Sequence, residues 1–233
     1  YTDASLTTSL AKSFPAGQVL HLASGGQKIT TIYLPNPDAR YTLLFSHGNA
    51  EDIGETLFFL NSFYNTGFSV MAYDYRGYGT STGKPSEQGV YEDVNAAYDY
   101  LTRGLHIPAN RIITMGRSVG CGAAIHLAAR RPVAGLVAEA PFLSAFRVLT
   151  RVRLLPWDKF NNAGDIAKVR VPVLIIHGRN DQIVPFWHGE RLYQLANEPK
   201  MFLPIDGAGH NDIVLLAGTK YLNALRGFAA KLT

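Results

Sequence analysis

Apolar positions along the chain fall into two rhythms: short β-prone runs, and longer stretches with apolar residues spaced by three and four. Val19-Leu20-His21-Leu22 and Ile29-Thr30-Thr31-Ile32-Tyr33-Leu34, with Ser24-Gly25-Gly26 between them, predict paired strands across Gln18 to Leu34. Pro35-Asn36-Pro37-Asp38 ends the second strand. Tyr41-Thr42-Leu43-Leu44-Phe45-Ser46 and Phe68-Ser69-Val70-Met71-Ala72-Tyr73 are continuous runs, the pattern of strands buried on both faces. A helix from about Ile53 to Tyr64 separates them. Pro85-Ser86-Glu87 predicts a helix start with Ser86 as N-cap, and Val90, Tyr91, Val94, Ala97, Tyr98 and Leu101 follow at helical spacing. Further strands are predicted at Val133 to Glu139, Val171 to His177 and Lys200 to Ile205, and helices from about Trp187 to Ala196 and Leu215 to Ala230.

Strand and helix alternate from Tyr41 to the end. The alternation predicts an α/β fold with a mostly parallel central sheet, helices on both faces and right-handed crossovers. Function in such sheets gathers in the loops at the carboxyl ends of the strands. At 233 residues the chain fits one such domain, 1–233. Between Pro141 and Val169 the rhythm stops. That segment holds Phe142, Leu143, Phe146, Val148, Leu149, Leu154, Leu155, Trp157 and Phe160 among Arg147, Arg151 and Arg153. A loop so long inside a compact domain is usually functional. We read residues 141–169 as a small helical lid, with Phe142, Leu143, Phe146 and Trp157 as substrate-binding candidates; the plainer alternative is that these side chains pack on the domain.

The stretch Ile112-Ile113-Thr114-Met115-Gly116-Arg117-Ser118-Val119-Gly120-Cys121-Gly122-Ala123-Ala124 is apolar, then small, then helix-forming. It predicts strand, sharp turn, helix. Gly116-x-Ser118-x-Gly120 is the pattern of a strained turn that lifts a serine hydroxyl above the sheet edge, with near side-chain-free neighbours that let the helix approach the strand. Alone, the same turn could cradle a phosphate. A serine hydroxyl needs a base, and the base an orienting partner. Asp181 lies in the loop after the Val171–His177 strand, and His210 in the loop after the Lys200–Ile205 strand. The order Ser118, Asp181, His210 is the serine–acid–histidine order of one fold. Asp206 and Asp212 flank the histidine and are the alternative acids; His177 is expected to shape the acid loop. The expected oxyanion hole is made of the backbone N–H groups of Val119 and Asn49, with Ala50 as alternative to Asn49 in His47-Gly48-Asn49-Ala50.

Charge and composition exclude more than they add. The net charge is +4, and no Lys/Arg run of five or more occurs, so a nucleic-acid partner has no support. Cys121 is the one cysteine, so no internal disulfide is possible. No apolar run reaches the length of a membrane span, and no signal-peptide pattern is present. The chain opens Tyr1-Thr2-Asp3. The expectation is a cytoplasmic protein, or one held at a membrane only through a segment ahead of residue 1. No H-E-x-x-H or similar zinc spacing occurs, so no metal is expected. A dinucleotide site would want G-x-G-x-x-G after the first buried strand, where His47-Gly48-Asn49-Ala50 stands instead.

Taken together, His47-Gly48-Asn49, Asp74-Tyr75-Arg76-Gly77-Tyr78-Gly79-Thr80-Ser81, Gly116-x-Ser118-x-Gly120, His177-Gly178-x-x-Asp181-x-x-Val184-Pro185 and Gly207-x-Gly209-His210 resemble the motifs of the α/β-hydrolases. The resemblance covers the chain from about Gln18 to the end. Ser46-His47-Gly48-Asn49-Ala50, Ser81-x-Gly83-Lys84-Pro85-Ser86-Glu87 and Gly207-Ala208-Gly209-His210-Asn211-Asp212 are similar to the Bem-type hydrolases and the eukaryotic α/β-hydrolase-domain depalmitoylases. No cysteine-rich N-terminal stretch accompanies them, so the acylated, membrane-targeted behaviour of that branch is not carried over. The resemblance implies a serine hydrolase without cofactor, acting on a small acyl ester or thioester, with an acylated protein as a further substrate class. The rival readings are a peptidase or amidase on the same triad, and a binding module that kept the fold.

Overall fold

The computed structural model describes residues 5–6, 10, 14, 16–49, 51–145 and 159–232. Eight strands form a mostly parallel sheet with helices, the expected α/β class. The chain divides into two compact units, Tyr1–Ile113 and Thr114–Thr233.

In the first unit, β1 (Gln18–Ser24) and β2 (Gln27–Leu34) form the expected hairpin. Its turn residues Gly25 and Gly26 have φ of 52° and 77°, and two successive positive φ values are what a type I′ hairpin turn requires. β2 pairs antiparallel with β4 (Ser69–Tyr73), and β4 pairs parallel with β3 (Thr42–Ser46). β3 and β4 are buried along their whole length, as their unbroken apolar runs predict. Helix α1 (Leu57–Asn65) starts four residues later than the sequence suggests. The Ile53 N–H is bonded to Asp74 Oδ1, and Asp52 and Glu55 exchange side-chain-to-backbone bonds, so residues 52–56 are held as turns. Helix α2 (Glu87–Asp99) is capped by Ser86, whose Oγ accepts from Gly89 N–H at 3.0 Å. Such a cap is worth about 1 kcal/mol.

In the second unit, β5 (Ile112–Arg117, its last four residues in this unit) leads through a sharp turn into α3 (Gly120–Ala128). β6 (Gly135–Glu139), β7 (Val173–Gly178) and β8 (Lys200–Ile205) are parallel neighbours in that order. The side chains of Leu136, Val137, Ile175, Ile176, Ile125, Leu127, Leu225 and Phe228 are buried, each worth roughly 1.5–3 kcal/mol. α4 (Asn162–Ile166) and α5 (Trp187–Leu195) follow β6 and β7. The single final helix expected over Leu215–Ala230 is two helices, α6 (Ile213–Ala217) and α7 (Thr219–Ala229). Gly218 divides them at φ 51°, a conformation that costs glycine little and stops a helix. Of the segment expected as a lid, residues 146–158 lie outside the described residues, and with them Phe146, Trp157, Arg147, Arg151 and Arg153.

Candidate active site

The turn between β5 and α3 is built as its small residues demand. Ser118 has a φ of 53°, an uncommon conformation for a residue with a side chain, of order 1–3 kcal/mol in cost. A Cβ on Gly116 would stand 2.3 Å from Gly120 O and 2.5 Å from Cys121 N. Only glycine at 116 lets the helix close on the strand. The Ser118 N–H donates to Glu139 O at 2.9 Å, which ties the turn to the end of β6. Val119 begins the first turn of α3, immediately after the serine.

His210, Ser118 and Asp181 are drawn together from three loops of the second unit. His210 Nε2 is 3.0 Å from Ser118 Oγ, and His210 Nδ1 is 2.7 Å from Asp181 Oδ2. With Nδ1–H donating to the carboxylate, Nε2 is left as acceptor for the serine hydroxyl. Asp181 Oδ1 accepts from the N–H groups of Ile183 and Val184 at 2.9 and 2.8 Å. Burial pushes the Asp181 carboxyl up, but hydrogen bonds from His177, His210 and the Val184 N–H outweigh it and hold the group well below the usual carboxylate range. Asp181 is therefore an anion, and His210 has a fixed tautomer. The two alternative acids are engaged elsewhere. Asp206 pairs with Arg179 at 2.7 Å on the surface, and Asp212 Oδ1 accepts from Gly209 N–H at 2.7 Å.

Asn49 is an exposed residue of the first unit, and its Oδ1 accepts from Tyr78 O–H at 2.7 Å. Gly48 N–H beside it donates to Glu51 Oε2 at 2.9 Å. Ala50 lies outside the described residues. Phe142 and Leu143 are buried. Leu143 N–H donates to His188 Nδ1 at 3.1 Å, Phe142 O accepts from Asn162 Nδ2 at 2.9 Å, and the Phe142 ring meets Phe160 edge-on. Their placement is that of packing residues. Among the described residues no cluster of three or more His, Cys, Asp or Glu side chains is arranged to hold a metal ion. Among the same residues no helix is long and apolar enough to cross a membrane.

Several supporting residues carried no signal as site residues in the sequence. Asp74 Oδ1 is 3.3 Å from His47 Nε2, and Tyr75 O–H donates to His47 O at 2.8 Å, so the Asp74–Ser81 motif braces the His47-Gly48-Asn49 loop. Arg76 and the fully buried Asp93 form a further ion pair at 2.9 Å, with Ser24 Oγ donating to the same carboxylate at 2.6 Å. A short Asp-Tyr-Arg motif identifies none of these partners, which lie 17 to 69 residues apart.

The chain as a whole is similar to known proteins. The family model described as serine aminopeptidase, S33 matches residues 37–160, more than half of the chain. The chain is 38% identical over 216 residues to α/β hydrolase domain-containing protein 17B of Xenopus tropicalis, covering 89% of this chain and 73% of that protein. It belongs to the α/β-hydrolase family. It is also 40% identical over 204 residues to the α/β hydrolase domain-containing protein aho-3 of Caenorhabditis elegans, of which it spans 60%. An esterase of Pyrococcus furiosus shares the fold with a TM-score of 0.81 at 18% identity, over 100% of this chain and 96% of that one.

Proposed function

We propose that this α/β-hydrolase is a serine hydrolase that cleaves acyl ester or thioester bonds through a covalent acyl-enzyme. One observation carries the reading: a single imidazole, His210, stands within hydrogen-bond reach of both Ser118 Oγ and Asp181 Oδ2. The Ser118 hydroxyl gives its proton to His210 Nε2 as its oxygen attacks the acyl carbonyl. The carbonyl oxygen becomes an oxyanion, and the donor we assign to it is the backbone N–H of Val119, the residue after the nucleophile. Collapse of the tetrahedral intermediate expels the alcohol or thiol, which takes the proton back from His210. Water then attacks the acyl-Ser118 carbonyl, with His210 as base, and releases the acid. Asp181 stabilises the imidazolium formed in both halves and stays ionised itself.

A peptidase or amidase on the same residues is the second reading, favoured by the aminopeptidase description of the matching family. A chain-length series of p-nitrophenyl esters, matched thioesters and matched anilides separates the two. Ester and thioester hydrolysis that disappears in Ser118→Ala supports the first reading. Anilide cleavage with a higher kcat/KM than either supports the second. An acylated protein is the further substrate class we propose, by likeness to the depalmitoylase branch.

A further inference from the structure

Beneath the Ser118 turn lies an ion pair that the catalytic steps do not use. The Arg117 and Glu139 side chains are 6% and 2% exposed, with Arg117 Nε 3.3 Å from Glu139 Oε1. The O–H of Tyr221, a fully buried residue of α7, donates to Glu139 Oε2 at 2.5 Å. Replacing a buried ion pair by apolar side chains of similar volume is often neutral or stabilising, because desolvation cancels the attraction. Stability alone therefore gives weak reason for a charge pair here.

Its connections supply a better one. Glu139 O accepts the backbone N–H of Ser118, so the residue that holds the nucleophile from behind also holds Arg117 through its carboxylate. Arg117 immediately precedes Ser118. Its Nη2 extends to Asn211 Oδ1 at 3.4 Å, and Asn211 immediately follows His210. One guanidinium thus spans the residue before the nucleophile and the residue after the base. Cys121 Sγ, the other buried titratable group at this turn, donates to the carbonyls of Gly116 and Glu139.

We propose that Arg117 is a positioning residue for acyl transfer, setting the Ser118–His210 approach by bracing both loops, with Glu139 and Tyr221 holding its guanidinium in place. This rests on the serine hydrolase reading. Burial, and then the neighbouring Glu139 charge, push the Tyr221 phenol well up, so it stays a hydrogen-bond donor at all working pH values. Lysine cannot replace the arginine, because an ammonium lacks the planar fork that meets two partners at fixed angles. A misplacement near 1 Å at a reacting pair costs up to about 100-fold in rate.

The test is a double-mutant cycle on the full chain with p-nitrophenyl butyrate, comparing Arg117→Lys, Asn211→Ala and the double variant, with thermal melts of each. The expected result is a fall in kcat of about 10-fold for each single variant, with KM within about twofold. The double variant is expected to be no slower than the slower single variant, because both remove the same brace. Asn211 is exposed, so its variant folds and decides the matter even where Arg117→Lys does not. Unchanged kcat in Asn211→Ala, or losses that multiply to about 100-fold, overturn the inference while leaving the hydrolase reading intact. Absence of hydrolysis and of fluorophosphonate labelling in the unaltered chain overturns both.

Discussion

His177 Nε2 stands 3.4 Å from Asp181 Oδ2, the same oxygen that accepts the hydrogen bond from His210. Two imidazoles therefore face one carboxylate, one on the reacting side and one on the buried side. His177 is fully buried, and its Nε2 also lies 2.8 Å from Val184 O, while Val184 N–H returns a bond to Asp181 Oδ1. The ring closes the acid loop on itself. Gly189 packs against it so closely that a Cβ there would be 2.4 Å from His177 Nδ1. His177→Phe removes the donor and leaves Val184 O without it. The expected outcome is a loss of about 1–3 kcal/mol in urea unfolding and a fall in kcat of about 10-fold with little change in KM.

Asp181→Asn should be far more severe for rate than for folding. An amide at this position favours the wrong His210 tautomer, and the loss expected in kcat is on the order of 10⁴-fold. Asp206→Asn is the matched control. Its carboxylate is 83% exposed and pairs with Arg179 on the surface, so kcat/KM should stay within about twofold. Steady-state kinetics of the two variants side by side checks the assignment of the acid.

Two glycines should respond to alanine in opposite directions. At Gly116 the added Cβ meets the backbone of Gly120 and Cys121, which cannot swing aside. Gly116→Ala is expected to cost about 3 kcal/mol or more, or to prevent folding, because overpacking against backbone forces the turn open. At Gly227 in α7 a Cβ meets nothing within 4 Å. Gly227→Ala should raise stability by about 0.5–1 kcal/mol through helix propensity. Thermal melts of both variants decide the point.

Stability should also fall with acid in a defined window. Burial first, and then the Arg130 charge, lower the His126 pKa from 6.5 to about 4. The unfolded chain thus binds one more proton than the folded chain between these values, and stability drops as pH falls from 6.5 towards 4, with no further contribution from this group below 4. Asp165, held by Arg130 and Lys168, and Asp181 are depressed carboxyls, so their contributions are lost only at still lower pH. Melts from pH 8 to 4 should show this slope, and His126→Gln should flatten it above pH 4.

The parts of the site legible in the sequence are those with a local mechanical signature. Gly116, Ser118 and Gly120 mark a strand-to-helix turn because the close approach allows no larger residue. Asp181 and His210 follow the parallel strands β7 and β8, where an α/β sheet puts its working loops. Gly25-Gly26 marks the hairpin for a similar reason. What stayed hidden is long-range pairing. Arg117 occupies a variable position of its motif, and its partners Glu139 and Asn211 are 22 and 94 residues away, with Tyr221 a further 82 residues beyond Glu139. The apolar pattern puts the start of α1 four residues early because the Ile53 N–H is claimed by Asp74 across the unit, which no local pattern records. The break at Gly218 leaves no mark in the pattern because an isolated glycine in an apolar helical stretch is usually tolerated.

The most direct measurement is fluorophosphonate labelling followed by peptide mapping, on the unaltered chain and on Ser118→Ala. Covalent modification of Ser118 in the first, and none in the second, is the predicted result. Folded protein that takes up no label, or that is labelled at another residue, would contradict a nucleophilic Ser118.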